Sequence, residues 1–119
     1  MESRAGASFA YRALEAYFAG ELAAIEPLRV EPGGTEFQRS VWAALRAIPA
    51  GATASYARIA QNIGRQKAVR AVGMANHVNP VCIVVPCHRV IGADGALTGY
   101  GGGLERKAWL LRHEGASFF

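Results

Sequence analysis

Apolar residues return along this chain mostly with a helical period. Phe37, Val41, Trp42, Leu45 and Ile48 recur every three or four positions and define one face of a helix. Thr35-x-x-Gln38 ahead of them has the form of a capping box, and Pro49 and Gly51 end the pattern. Tyr56, Ile59, Ala60 and Ile63 form a second stripe at i, i+3, i+4 and i+7, opened by Ser55 as N-cap and closed by Gly64. A third helix is predicted from about Lys67 to Asn76. Two helices joined by a short glycine-containing turn have the outline of a helix-turn-helix. Upstream, Ser8 as a cap predicts a helix over 9–19 carrying Leu14, Tyr17 and Phe18, with Gly20 as its stop. Residues 26–34, EPLRVEPGG, read as a linker or extended segment.

Beyond the third helix the pattern changes. Asn79-Pro80 breaks the helix, and the apolar run Val81 to Val85 predicts a short buried strand. Asp94-Gly95 predicts a hairpin turn between RVIGA and ALTGY. Four glycines surround Tyr100 from Gly99 to Gly103, which predicts an irregular loop. Helical spacing resumes over Leu104 to Arg112, with Leu104, Ala108 and Leu111 apolar and Gly115 closing; the tail ASFF is expected to be loose.

Composition bounds these elements. With 119 residues, 51% of them apolar, the chain is expected to fold as one globular domain. No apolar run approaches the length of a membrane span, and residues 1–20 lack the basic start and apolar core of a signal peptide, so a cytoplasmic location is expected. Charge is uneven. Residues 1–35 carry five Glu against three Arg, whereas residues 36–112 carry ten Lys or Arg against three acids. Arg58, Arg65, Lys67 and Arg70 fall in a stretch without acids, which suits a polyanion partner or an ordinary solvated face.

The third helix holds small residues at Ala68, Ala71, Gly73 and Ala75. A glycine inside a helix costs about 1 kcal/mol relative to Ala. Close approach of the backbone to a partner, or close helix packing inside the protein, would compensate. Arg70, Met74 and His77 share a face of this helix.

Candidate chemistry centres on PCHRV, Pro86 to Val90, directly after the apolar run. Pro86 fixes its own φ and keeps Val85 extended, so the run ends rigidly just before Cys87. The thiolate is the nucleophilic form of cysteine, and His88 or Arg89 beside it would favour that form. Free cysteines are also among the most buried residue types, so plain packing is the alternative. On a strand, Cys82 would face away from Cys87, sit without polar neighbours and be inert; a disulfide between the two is not expected. Their spacing, and the scattering of His77, His88 and His113, fit poorly with a metal site.

Three stretches carry a resemblance to a known family: TEFQRSVWAALRAIPAGATASYARIA, KAVRAVGMANHVNPVCIVVPCHRV and PCHRVIGADGALTGYGGGLERKAWLLRHEG. In this order, over about two-thirds of the chain, they resemble the O6-alkylguanine-DNA alkyltransferases, also called methylated-DNA–protein-cysteine methyltransferases. The resemblance implies a mainly α fold with a small β element, similar to a winged helix-turn-helix. It implies that 35–119 is the DNA-binding and alkyl-acceptor domain. Residues 1–34 then form a helix and linker standing where members carry a larger N-terminal domain. Cys82 occupies a place that is often proline in the family.

The resemblance further implies irreversible DNA repair, in which the alkyl group of O6-alkylguanine, or of O4-alkylthymine, passes once to Cys87. His88 matches the histidine that draws the thiol proton through a water, Glu114 the acid that orients it, and Asn79 the asparagine holding the active-site turn. Tyr56 matches the tyrosine that helps rotate the nucleotide, and Arg70 the arginine that fills the gap left by the flipped base. Ala68, Ala71 and Gly73 lie on the helix that approaches DNA, which the family docks in the minor groove. Tyr100, Gly101 and Gly102 match the wall of the base pocket. No cofactor or metal is implied. The partner is double-stranded DNA containing O6-alkylguanine, and the protein is expected to act as a monomer. A non-catalytic lesion-binding protein of the alkyltransferase-like type is the alternative, although such proteins replace the cysteine. A plain helix-turn-helix regulator would leave Asn79, Cys87, His88 and Glu114 together unexplained.

Overall fold

The computed structural model describes residues 4–31, 33–100 and 103–116. Helix α1 runs Arg4–Phe18, and a 3-10 turn follows at Leu22–Ile25. Helix α2 is Glu36–Arg46, strand β1 Ala54–Ser55, helix α3 Tyr56–Asn62 and helix α4 Val69–His77. A second 3-10 turn, Cys87–Arg89, leads into strand β2, Val90–Ile91, and helix α5 is Leu104–His113. The architecture is therefore mainly helical with a two-stranded sheet.

Local signals set the middle of the chain. Thr35 accepts from the Gln38 amide while the Gln38 side chain accepts from the Thr35 amide, so the capping box forms in full. Gly34 before it has φ +79, and a Cβ there would lie 2.8 Å from the Trp42 ring, so only glycine fits this entry. Ser55 accepts from the Arg58 amide at 3.0 Å and caps α3. Gly64, at φ +72, makes the turn between α3 and α4. Val41, Trp42 and Leu45 of α2 pack with Ile59 and Ala60 of α3 and Val72 and Ala75 of α4 in one core. The Trp42 indole donates to the Ala75 carbonyl at 2.9 Å, so the small residue at 75 serves close packing inside the protein.

A second core joins Ala13 and Tyr17 of α1 to Ile25, Leu28, Val84 and Leu110. His113 bonds the Tyr17 carbonyl at 2.7 Å, and Arg46 donates to the Leu28 carbonyl at 2.8 Å. The segment 4–31 is thus packed and hydrogen-bonded against α2 and α5.

Several expectations need correction. Helix α1 starts at Arg4, so Ser8 lies within it and is not its cap. Residues 81–85 are not a strand. They form a turn closed by the Val85 amide on the Val81 carbonyl at 2.9 Å, with Ile83 at φ +77. A β-branched residue in that region is rare and is held there by its surroundings. Asp94-Gly95 does turn the chain, since the Gly95 amide reaches the Gly92 carbonyl and the Ala96 amide the Asp94 carboxylate. The segments it joins share one bond, from the Gly92 amide to the Ala96 carbonyl at 2.9 Å, and form no strand ladder. β2 lies parallel to β1, with Ala54 opposite Val90 and Ser55 opposite Ile91. Leu104 is exposed at the first turn of α5, where it precedes the buried stripe. Gly101, Gly102 and the end of the tail lie outside the described residues.

Candidate active site

The run Val84 to Ile91 is buried at every position, and Cys87 sits within it at 3% exposure. Pro86 has φ −81 and ψ 66, the centre of an inverse γ-turn, and the Cys87 amide closes that turn on the Val85 carbonyl at 2.8 Å. The Arg89 amide then closes the 3-10 turn on the Pro86 carbonyl at 3.0 Å. Two asparagines brace this segment. Asn79 donates to the Val85 carbonyl at 2.8 Å and accepts from the Val81 amide at 3.0 Å. Asn76 points at the Cys87 carbonyl at 3.4 Å. The Asn79 side chain is thus bonded at both ends to the backbone of this turn; Asn76 is a second brace that reasoning missed.

Glu114, at the end of α5, gathers the charged groups. Its Oε2 meets His88 Nε2 at 2.9 Å, Arg89 Nη2 at 2.8 Å and the Tyr17 hydroxyl at 2.6 Å, and its Oε1 takes Arg89 Nε at 2.9 Å. Arg89 Nη1 donates onward to the Ile48 carbonyl at 2.6 Å. Burial alone would raise the Glu114 pKa. The bonds from His88, Arg89 and Tyr17 outweigh it and hold the carboxyl down at about 2. Burial lowers the His88 pKa, partly offset by Glu114, so the imidazole is neutral near pH 7. A carboxylate that is ionised can only accept, so His88 Nε2 carries the hydrogen. The lone pair is then on Nδ1, which is buried and has no hydrogen-bond partner among the described residues. The result is a neutral imidazole with its tautomer and orientation fixed from behind.

The thiol itself is protonated in this state. Burial pushes the Cys87 pKa up to about 12, Cys82 adds to the rise and Asn79 opposes it. Cys82 is not remote from it, as a strand would have placed it. The turn at Ile83 brings the Cys82 sulfur to 3.9 Å from the Cys87 sulfur and 3.8 Å from the Asn79 carbonyl. Tyr100 is half-buried against both thiols; burial raises its hydroxyl and the two sulfurs raise it further. A cavity of about 360 Å³ opens beside Cys82, Tyr100 and Trp109.

The helix-turn-helix residues are placed apart from this network. Arg70 and Ala71 are exposed on α4, and Tyr56, Ala68 and Gly73 are half-buried. Tyr56 hydrogen-bonds Thr98 at 2.9 Å, which links α3 to the segment leading to Tyr100. A Cβ at Gly73 would meet only the Tyr56 ring, at 3.8 Å, an ordinary contact. Internal packing therefore does not require glycine at 73.

Besides Asn76, three members of the site escaped the sequence reading. Arg89 was visible as a charge beside the thiol, but nothing local indicated its clamp on Glu114. Tyr17 reads as one more apolar position of α1. Lys107 is fully buried and donates to the Val90 and Thr98 carbonyls, joining α5 to β2 and to the segment before Tyr100. Burial lowers its pKa to about 8. Its position three before Leu110 and four before Leu111 on the inner face of α5 was the available signal. Among the described residues, no group of three His, Cys, Asp or Glu side chains is placed to hold a metal ion.

Comparisons with known proteins agree with this geometry. Residues 36–116 match the family described as 6-O-methylguanine DNA methyltransferase, DNA binding domain. The methylated-DNA–protein-cysteine methyltransferase of Salmonella typhimurium is 63% identical over 99 residues, covering 83% of this chain and 58% of that protein. That of Methanosarcina acetivorans is 60% identical over 107 residues, 90% of this chain and 68% of that protein. The chain thus spans about three-fifths to two-thirds of the length of these relatives. The crystal structure of Mycobacterium tuberculosis OGT in complex with DNA superposes with a TM-score of 0.85 at 54% identity, covering 91% of this chain and 66% of that one. The S. pombe Atl1 structure, in complex with damaged DNA containing O6-carboxymethylguanine, matches at a TM-score of 0.62 and 33% identity, over 71% of this chain and 80% of that one. By the match over its residues 36–116 and by its identity to these relatives, the chain belongs to the 6-O-methylguanine DNA methyltransferase family.

Proposed function

We propose that this chain repairs double-stranded DNA by taking the alkyl group of O6-alkylguanine onto Cys87, once per molecule. The observation that carries the reading is the imidazole at His88: its Nε2 is pinned by an ionised Glu114 at 2.9 Å, and its Nδ1 lone pair has no partner among the described residues, one residue from the thiol. A buried nitrogen of this kind suits a bridging water, which would carry the thiol proton to it.

In the reaction the C–S bond forms as the C–O bond breaks. The thiol proton passes to His88, and the electron pair of the broken bond leaves with the guanine oxygen. Because burial holds the Cys87 pKa at about 12, the thiolate has to be generated at the moment of transfer. His88 serves that step, with Glu114 stabilising the imidazolium that results; Arg89 holds Glu114 ionised, while its own charge opposes the imidazolium. The thioether product is not hydrolysed, so the protein is consumed.

A base inside a duplex cannot reach a sulfur buried in this way, so the damaged nucleotide must leave the stack, at a cost of a few kcal/mol. Exposed Arg70 on α4 is suited to offset that cost by filling the gap, and Ala68, Ala71 and Gly73 let the helix lie close in the minor groove. Tyr56 helps turn the nucleotide, and Tyr100, with Gly101 and Gly102, borders the base. Residues 35–119 serve as the DNA-binding and acceptor domain, and residues 1–34 as its brace through Tyr17. The protein works in the cytoplasm as a monomer; among the described residues, no helix is long and apolar enough to cross a membrane.

Intact-mass measurement after mixing the chain with a duplex holding one O6-methylguanine tests the proposal. One methyl in place of a hydrogen is expected, mapped to Cys87, with none in Cys87→Ala. Tight binding to the damaged duplex without any mass change would overturn alkyl transfer in favour of lesion binding alone.

A further inference from the structure

We propose that Cys82 and Cys87 are a redox pair: peroxide joins them in an intramolecular disulfide that masks the acceptor sulfur, and thiols release it. Four observations converge. The two sulfurs lie 3.9 Å apart. They differ in access, Cys82 being exposed and Cys87 buried. The turn between them is held in place, by the Val85 amide on Val81, by both ends of the Asn79 side chain, and by Ile83 at φ +77. Tyr100 packs against both sulfurs, and the cavity of about 360 Å³ beside Cys82 and Tyr100 gives a small oxidant a route in.

The geometry asks for little. A disulfide brings its sulfurs to about 2 Å, so the pair must close by roughly 2 Å. That movement falls to the Cys82 side chain, which is the exposed partner.

The chemistry runs in two steps. The Cys82 thiolate attacks hydrogen peroxide, forming an S–O bond and releasing hydroxide; Cys82 becomes a sulfenic acid. The Cys87 sulfur then attacks the Cys82 sulfur, the S–O bond breaks, and the departing hydroxide takes the Cys87 proton to leave as water. Two thiols are oxidised, one peroxide is reduced, and two waters form. In the oxidised chain the Cys87 sulfur is bonded to Cys82, so it can form no thiolate and has no proton to give to His88. The acceptor is thereby also shielded from irreversible over-oxidation. The masking of alkyl transfer rests on the function proposed above; the pairing of the sulfurs does not.

The folded, reduced chain treated with a small excess of hydrogen peroxide is the test, read by intact mass and peptide mapping without DNA. A loss of two hydrogens is expected, mapped to a Cys82–Cys87 cross-link within one chain and reversed by dithiothreitol. Cys82→Ser should show no cross-link and no loss of two hydrogens. Oxygen uptake by the unsubstituted chain without a cross-link, or a cross-link only between chains, would overturn the pairing. In a second arm the oxidised chain should lose methyl uptake from the damaged duplex and regain it after dithiothreitol, whereas Cys82→Ser should keep its uptake after the same brief exposure followed by peroxide removal. Full methyl uptake by the cross-linked chain would overturn the masking. A cross-link in a chain that, reduced, never takes up methyl would sink the alkyl-transfer reading and leave the pair standing.

Discussion

The helix-turn-helix and the acceptor turn are neighbours in the chain and opposites in construction. Helix α4 holds Val69, Arg70, Ala71, Met74 and His77 in solvent. From Val84 to Ile91, a few residues later, no side chain is exposed, and that stretch includes a histidine and an arginine. The first region is built to be touched and stands on caps and one apolar stripe. The second keeps a thiol, an imidazole and a guanidinium out of water, and it is held by Glu114 just after α5, itself bonded by Tyr17 of α1, and by the Ile48 carbonyl just after α2. On the function proposed above the two regions divide the work: the exposed one meets DNA, the buried one keeps its sulfur from water, and the substrate base travels between them.

If that division is right, removing the hub of the buried network should do most damage. Glu114→Gln leaves the Arg89 charge buried without its carboxylate and should cost about 3–5 kcal/mol, read as a lower urea midpoint. A loss below about 1 kcal/mol would mean the network is not the support described here. Acid probes the same hub without mutation. Glu114 is held at about 2, below its ordinary 4.5, so the folded state resists protonation more than the unfolded chain does. Its contribution, on the order of 3 kcal/mol, should be complete above pH 4.5 and disappear as pH falls towards 2. His88, also lowered, acts in the same direction and begins the loss below its ordinary 6.5. Stability that stays flat across this range in urea titrations would contradict the assignment.

Tyr17→Phe sharpens the comparison from outside the family-matched domain. It removes one bond to a buried carboxylate and should cost about 2 kcal/mol, with slower methyl uptake and unchanged affinity for duplex DNA. Weakened DNA affinity would place α1 with the recognition surface instead. The smallest effect belongs to the exposed region. Gly73→Ala meets only an ordinary contact and gains helix propensity, so stability should rise by up to about 1 kcal/mol while affinity for the damaged duplex falls. A variant that is both more stable and equally tight would show that the backbone at 73 does not approach DNA.

The two regions also differ in how far they could be read in advance. The capping box at Thr35, the Ser55 cap and the stripe of Tyr56, Ile59, Ala60 and Ile63 all specify structure within a turn or two, and each formed as expected. The apolar run 81–85 misled. Periodicity cannot distinguish a buried strand from a buried irregular turn, and the Asn79 bonds that fold this one lie outside the run. The error carried a consequence, because strand parity sends Cys82 away from Cys87 whereas the turn puts their sulfurs in contact.

Sequence by itself determined the helices of the recognition surface, the identity of the thiol and imidazole, and the family to which they belong, because caps, periods and the PCHR motif are local. Only the tertiary structure decided how the His88 imidazole is held and kept neutral. Glu114 lies 26 positions from it and Tyr17 lies 97 positions from Glu114, and their meeting on one carboxylate is a product of packing between helices. The physical reason is that ionisation states in a core are set by burial and by partners brought from far along the chain, and neither is encoded in any single stretch of residues.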